Sequence, residues 1–257
     1  VSKTGSDVGV EVLNAEGAGQ VLLLCEHASR FIPSELGSLG LSDAHLSSHA
    51  VWDPGALELA KLLSSALDAP LIASTISRLV YDCNRPPEAQ SAIPAKSELI
   101  NVPGNQNLDD AERLRRAEIA YKPFCGAVDR LLEHRLRSGH ATLIATIHSF
   151  TPIFFGETRK VEIGLLHDSD DRLANSMLAQ AGQIAHRSVL RNEPYGPEDG
   201  VTHSLKLHAV SRGLANVMIE VRNDLLRTPS AIQQICDELM VMIAPALLDP
   251  KVGVSRA

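Results

Sequence analysis

Several of the polar residues in this 257-residue chain stand where apolar runs end. Glu26 and His27 follow VLLLC, and Asp82, Asn84 and Arg85 close the stretch RLVYDCNR. His148 and Ser149 follow TLIATI, and Glu220 and Arg222 sit in IEVRND. Two imidazoles, several carboxylates and two guanidinium groups at such positions can supply a His/His/carboxylate metal site with an anion-binding arginine beside it. That chemistry requires the run ends to meet in space.

The runs themselves predict how they meet. VLLLC at 21–25, PLIASTI at 70–76, TLIATIH at 142–148, VEIGLLH at 161–167 and NVMIEV at 216–221 are short, β-rich and separated by helical patterns. This alternation predicts an α/β fold, a single-domain three-layer αβα arrangement around a mostly parallel mixed sheet. Ligands in such sheets gather beyond the carboxyl ends of the strands, where these polar residues stand. Alternation along NVMIEVR turns Asn216, Met218, Glu220 and Arg222 to one face, and it turns Glu26 away from His27.

DPGALELAKLLSSALDA predicts a helix, with Asp53 as its candidate N-cap and Pro54 in its first turn. Residues 109–139 read as one long helix or two, because Pro123 lacks a backbone donor in the middle. The last helix starts at Thr228-Pro229, and a short one in GVTHSLKLHAVSRG ends before Gly213. The segment 84–108, with Pro86, Pro87, Pro94 and Pro103 and no lasting period, reads as a functional loop. No repeat or composition break appears, so residues 1–257 read as one domain.

Composition narrows the function. A hydrophobic content of 44% supports a real core, and a net charge of −7 with dispersed basic residues argues against a nucleic-acid partner. The four cysteines form no CxxC pair, which fits a reducing compartment. The N-terminus has no signal-peptide pattern and no apolar run reads as long enough to span a bilayer, so the expectation is a cytoplasmic protein with no membrane partner. A homo-oligomer is compatible with all of this.

Taken in order, CEHAS with a following IP, WDPGA, RLVYDCNRPP, IHSF, NEPY and GLANVMIEVRND resemble the N-formylglutamate amidohydrolase family over roughly residues 20 to 227. That family is related to the zinc carboxypeptidases and aspartoacylases. The resemblance implies a zinc carboxypeptidase-like αβα hydrolase with one Zn2+ per chain and a small-molecule N-acyl amino acid as substrate. By the same resemblance His27 and His148 are zinc ligands, Asn84-Arg85 is the substrate-binding pair and Glu220 is the catalytic carboxylate. The carboxypeptidase pattern H-x-x-E needs Glu at position 30, where this chain has Arg30. Asp53 is then the replacement third ligand.

Plainer readings stand beside these. His27 and His148 could be hydrogen-bonded strand-end histidines, Glu220 could pair with Arg222, and Arg85 could pin the proline-rich loop. Asp82 reads as a carboxylate that fixes an imidazole's tautomer. Arg222 could help Arg85 hold a substrate carboxylate. His208, where the family has a histidine preceded by Arg but this chain has Leu207, is a substrate contact or part of a solvated helix face. NEPY is a loop that could close over substrate. Two rival functions remain: a metallohydrolase of peptide or cell-wall amides, and a non-catalytic metabolite-binding relative.

Overall fold

The computed structural model describes residues 9–253. In chain order the elements are β1 (Val10–Leu13), β2 (Val21–Cys25), α1 (Asp43–Leu46), α2 (Ala56–Ala66) and β3 (Leu71–Ser74). The small hairpin β4 (Lys96–Ser97) and β5 (Ile100–Asn101) follows, then α3 (Asp110–Arg116), a π-helical turn and α4 (Lys122–Arg137). Next come β6 (Leu143–Phe150), a second hairpin of β7 (Ile153–Phe154) and β8 (Glu157–Thr158), β9 (Ile163–Leu166), α5 (Arg172–Leu178) and β10 (Val189–Arg191). The chain ends with β11 (Asn216–Arg222) and α6 (Pro229–Leu248).

Seven strands form the central sheet in the order β1-β3-β2-β6-β11-β9-β10. β3, β2, β6 and β11 run parallel to one another, while β1 pairs antiparallel with β3 and β9 antiparallel with β11. β2 is buried at every position because both sheet faces are covered, which explains its unbroken apolar run. Leu23, Ile147, Val217 and Ile219 pack with Leu59 and Leu63 of α2 and Leu239 and Met242 of α6. On the other face Leu22, Leu24 and Ile144 pack with Phe124, Val128 and Leu132 of α4. The molecule is therefore a three-layer αβα protein with a mixed, mostly parallel sheet.

Three details depart from the sequence reading. Asp53 does not cap α2: the N-cap is Gly55 at φ 81°, with no side-chain cap, because a β-carbon there would run into Leu226. The chain from α3 to α4 is neither one regular helix nor two separate ones. A π-helical turn at Ala117–Tyr121 joins them, just before Pro123, the residue that lacks a backbone donor. Finally, α6 does have the length and composition to cross a bilayer, contrary to expectation. Its Ile232, Ile235, Leu239 and Ile243 belong to the core cluster, so this apolar stripe covers the sheet. Thr228 caps this helix, accepting from the Ala231 amide at 3.2 Å.

Candidate metal centre and active site

β2 and β6 are neighbours in the sheet, and each delivers a histidine at its carboxyl end. His27 lies two residues past β2, and the Asp53 amide donates to its carbonyl at 3.0 Å, which ties the 51–55 turn to this strand end. His148 is within β6, directly beside Glu220 in the parallel register with β11. The Nδ1 atoms of His27 and His148 are 3.2 Å apart, and each faces Asp53 Oδ2, at 3.2 and 3.0 Å. All three side chains are buried.

The far side of each imidazole meets another buried carboxylate. His27 Nε2 is 2.8 Å from Asp82 Oδ1, and His148 Nε2 is 3.1 Å from Glu26 Oε2. A carboxylate only accepts, so with a metal bound at Nδ1 these two carboxylates would keep hydrogen on each Nε2 and leave the Nδ1 lone pairs to the ion. Arg78 completes the cluster by donating to Asp53 Oδ1 at 3.2 Å and Asp82 Oδ2 at 3.1 Å. Burial alone would raise Asp53 and Asp82, yet His27 and then the remaining bonds and charges hold both well below the usual carboxylate range. Burial likewise opposes charge on the imidazoles, but Asp82 and Asp53 raise His27, and Glu26 and Asp53 raise His148 further.

This donor set fits a metal ion. A tetrahedral site with bonds of about 2.1 Å has ligand-to-ligand edges of about 3.4 Å, and the three donor atoms are 3.0 to 3.2 Å apart. Two imidazole nitrogens and one carboxylate oxygen are also the mixture that suits zinc. His27, Asp53 and His148 are the group among the described residues that could hold such an ion.

The cluster opens on a cavity of about 500 Å³. Glu220 lines it, is 6% exposed, and has Oε2 without a hydrogen-bond partner among the described residues. Burial, opposed by His148 and assisted by Asp53, pushes its carboxyl up to about 7. Such a group is poised to take and return a proton near neutral pH.

The other expected residues fall out as follows. Arg85 lines the cavity and uses Nη1 to hold the carbonyls of Asn84 at 3.0 Å and Gly200 at 2.8 Å. Asn84 also lines it, but its amide is committed to backbone, donating to Val201 O and accepting from Ser204 N. It is an anchor for the 201–204 turn. Arg222 is not at the cavity and does not pair with Glu220. Its guanidinium turns to Asp224 at 2.8 Å and donates to the Arg159 carbonyl at 3.1 Å. His208 is also away from the cavity. It is buried in the π-helical turn Leu205–Ala209 with Nδ1 3.3 Å from Asp129, so it is not on a solvated helix face. Glu26 points away from His27, as alternation predicts, and stands behind His148.

Sequence reasoning missed Arg78, Arg159 and Glu98. Arg78 could have been found, since it lies four residues before Asp82 in RLVYDCNR and pairs with it. Glu98 ties three segments of the cavity wall together by meeting His49 Nε2 at 3.0 Å and accepting from the Phe155 amide at 2.9 Å. Arg159 follows the hairpin of β7 and β8, a segment with no periodic signal.

Fold and site together define an αβα protein with a metal-competent donor cluster and a buried carboxylate lining one cavity at the carboxyl ends of adjacent central strands. The family model for N-formylglutamate amidohydrolase matches residues 19–227, and the chain belongs to that family. The structure of gene product Atu2144 from Agrobacterium tumefaciens is 52% identical, with a TM-score of 0.92 over 94% of this chain and 96% of that one. That of the N-formylglutamate amidohydrolase from Ralstonia eutropha JMP134 shares the fold at 17% identity, with a TM-score of 0.65 over 94% of this chain and 98% of that one. No curated protein matches the chain. Membership in an amidohydrolase family supports hydrolase activity on a small-molecule amide.

Proposed function

We propose that the protein is a zinc-dependent amidohydrolase that cleaves an N-formyl or other N-acyl amino acid to the free amino acid and a carboxylate. The observation that carries this reading is the opening of the His27, Asp53 and His148 cluster onto the same cavity as Glu220. When bound to those three residues, zinc supplies Lewis acidity that acidifies water and polarises the amide carbonyl. Glu220 accepts the proton of the attacking water at its carboxylate and returns it to the nitrogen of the departing amine. Asp82 and Glu26 hold the two imidazoles in the tautomer that leaves Nδ1 free. Arg85, anchored through Nη1, holds the substrate's α-carboxylate with its remaining donors and so fixes the amide over the reacting centre.

The test is metal analysis of the purified protein together with amine release from N-formyl-glutamate, other N-acyl amino acids and short peptides. About one zinc per chain and turnover of N-acyl amino acids are expected. A folded, zinc-loaded protein that releases amine from none of the N-acyl amino acids would overturn the proposal. Release from peptides alone would favour the rival metallohydrolase reading.

A further inference from the structure

His27 is gripped from both sides by carboxylates, and one guanidinium joins those two carboxylates to each other. Its Nδ1 faces Asp53 Oδ2 at 3.2 Å, and its Nε2 faces Asp82 Oδ1 at 2.8 Å. Arg78 takes the other oxygen of each, Asp53 Oδ1 through Nη1 at 3.2 Å and Asp82 Oδ2 through Nη2 at 3.1 Å. The side chains of His27, Asp53, Arg78 and Asp82 thus close a ring.

The turn that carries Arg78 is tied to the segments it serves. The Ser77 hydroxyl donates to the Val51 carbonyl of the 51–55 turn at 2.7 Å, and the Ser77 amide donates to the Phe31 carbonyl at 2.8 Å, on the segment that follows His27. Leu79 O accepts from the Asn105 side-chain amide at 2.8 Å. The Arg78 side chain is 28% exposed and lines the cavity, so its place can be reached by a small ion from the cavity.

This ring controls how many atoms Asp53 offers. Oδ2 faces both Nδ1 atoms, at 3.2 and 3.0 Å, and belongs to the donor set. Oδ1 is the atom that would make the carboxylate a two-oxygen ligand, and Arg78 engages it. Three protein donors leave the fourth position of a tetrahedral ion open, whereas a further protein donor competes for it. A planar fork spans two carboxylates at once, which an ammonium group does not.

We propose that Arg78 is a positioning residue that restricts Asp53 to one donor oxygen, holding the metal site at three protein ligands with the fourth position open. This rests on the metallohydrolase reading above. Its signature is opposite in sign to that of an ordinary supporting residue, whose loss weakens metal binding. Loss of Arg78 removes a cation beside the ion and frees Oδ1 to join Oδ2 on it, so metal affinity should hold or rise while turnover falls.

The test compares native protein with Arg78→Ala, loaded with Zn2+ for affinity and kinetics and with Co2+ because its visible spectrum reports coordination number. In the variant, kcat/KM for N-formyl-glutamate should fall by roughly 10- to 100-fold. Zn2+ affinity, measured by competition with a chelator, should equal or exceed the native value. The Co2+ absorption per ion should weaken as the second oxygen of Asp53 joins the site. Guanidinium ion, added at a concentration that leaves thermal stability unchanged, should restore the native spectrum and part of the turnover. Ammonium ion should restore neither, because it lacks the fork.

Weakened Zn2+ binding in Arg78→Ala, an unchanged Co2+ spectrum, or a spectrum that guanidinium does not restore would each overturn the role of Arg78. So would native protein that takes up neither ion. A native protein that shows every metal effect yet releases amine from no N-acyl amino acid keeps this role and loses the hydrolase reading. If Arg78→Ala does not fold, Arg78→Met, which keeps bulk without donors, decides by the same affinity and spectrum, and native values there overturn the proposal.

Discussion

Two imidazoles that turn the same ring atom toward one carboxylate oxygen set protons and a metal in competition for the same lone pairs. In the metal-free protein His27 and His148 hold protons more tightly than ordinary histidines, because the carboxylates around them outweigh their burial. Metal binding must therefore expel protons. Zinc titrations near neutral pH, run calorimetrically in buffers of differing ionisation enthalpy, should show proton release, and apparent affinity should fall as pH falls. A heat independent of buffer would mean that the two Nδ1 atoms are not the ligands. Replacing the supporting carboxylates one at a time, as Asp82→Asn or Glu26→Gln, should weaken zinc binding by roughly 10- to 100-fold without abolishing it. Asp53→Asn should cost more than either, because it removes the donor that faces both rings. The polar ends of β2, β6 and β11 were legible in the sequence because strand ends meet where sheets bind ligands. The directions of Arg222 and His208 were not, because each is set by a side-chain partner that strand alternation and helix pattern do not rank, Asp224 with Glu162 for one and Asp129 for the other.

At the scale of elements, the five long apolar runs were recovered as strands because burial on both faces leaves an unbroken signature. β1 and β10 went unread: they are partly exposed edge strands without the unbroken apolar run of the strands buried on both faces. The NEPY loop also gains a physical account. Asn192 accepts from the His167 amide at 2.9 Å, and the Asn192 amide donates to Leu165 O, which pins the loop to the end of β9. The Glu193 carbonyl then lies so close to Gly164 that a β-carbon there would fall on it. Gly164 is the direct neighbour of Glu220 in the antiparallel register, so the missing side chain is what lets Pro194 and Tyr195 line the cavity. Gly164→Ala should therefore destabilise the fold by about 1–3 kcal/mol, the usual cost of overpacking. It should also lower kcat/KM for N-acyl amino acids while leaving zinc content unchanged, since the donor residues stand on other segments. Thermal unfolding, metal analysis and kinetics on one preparation test this, and a variant with native kinetics would show that the loop does not depend on the close approach.

For the whole molecule, the cost of building this site should be visible in how stability depends on pH. Asp53, Asp82 and Glu26 have carboxyls held below their ordinary values, so their contribution is present at neutral pH and is lost as pH falls through their native values. Glu220 runs the other way. Its carboxyl rises from 4.5 to about 7 in the folded protein, chiefly through burial. The native state therefore binds its proton more tightly than the unfolded chain does. The stabilisation linked to that proton is fully present below pH 4.5 and is lost as pH rises through about 7. A shift of this size corresponds to about 3 kcal/mol between the two limits. Glu220→Gln removes the titrating group and keeps its shape, so in the presence of a chelator the variant should gain stability relative to native protein as pH rises from 5 to 8. Any fixed cost of burying the new amide shifts the whole difference without changing its slope. Denaturant unfolding at several pH values measures the slope directly. A difference that stays flat across that range would mean that Glu220 does not hold a proton at neutral pH, and its assignment as the acid-base group would then lose its electrostatic basis.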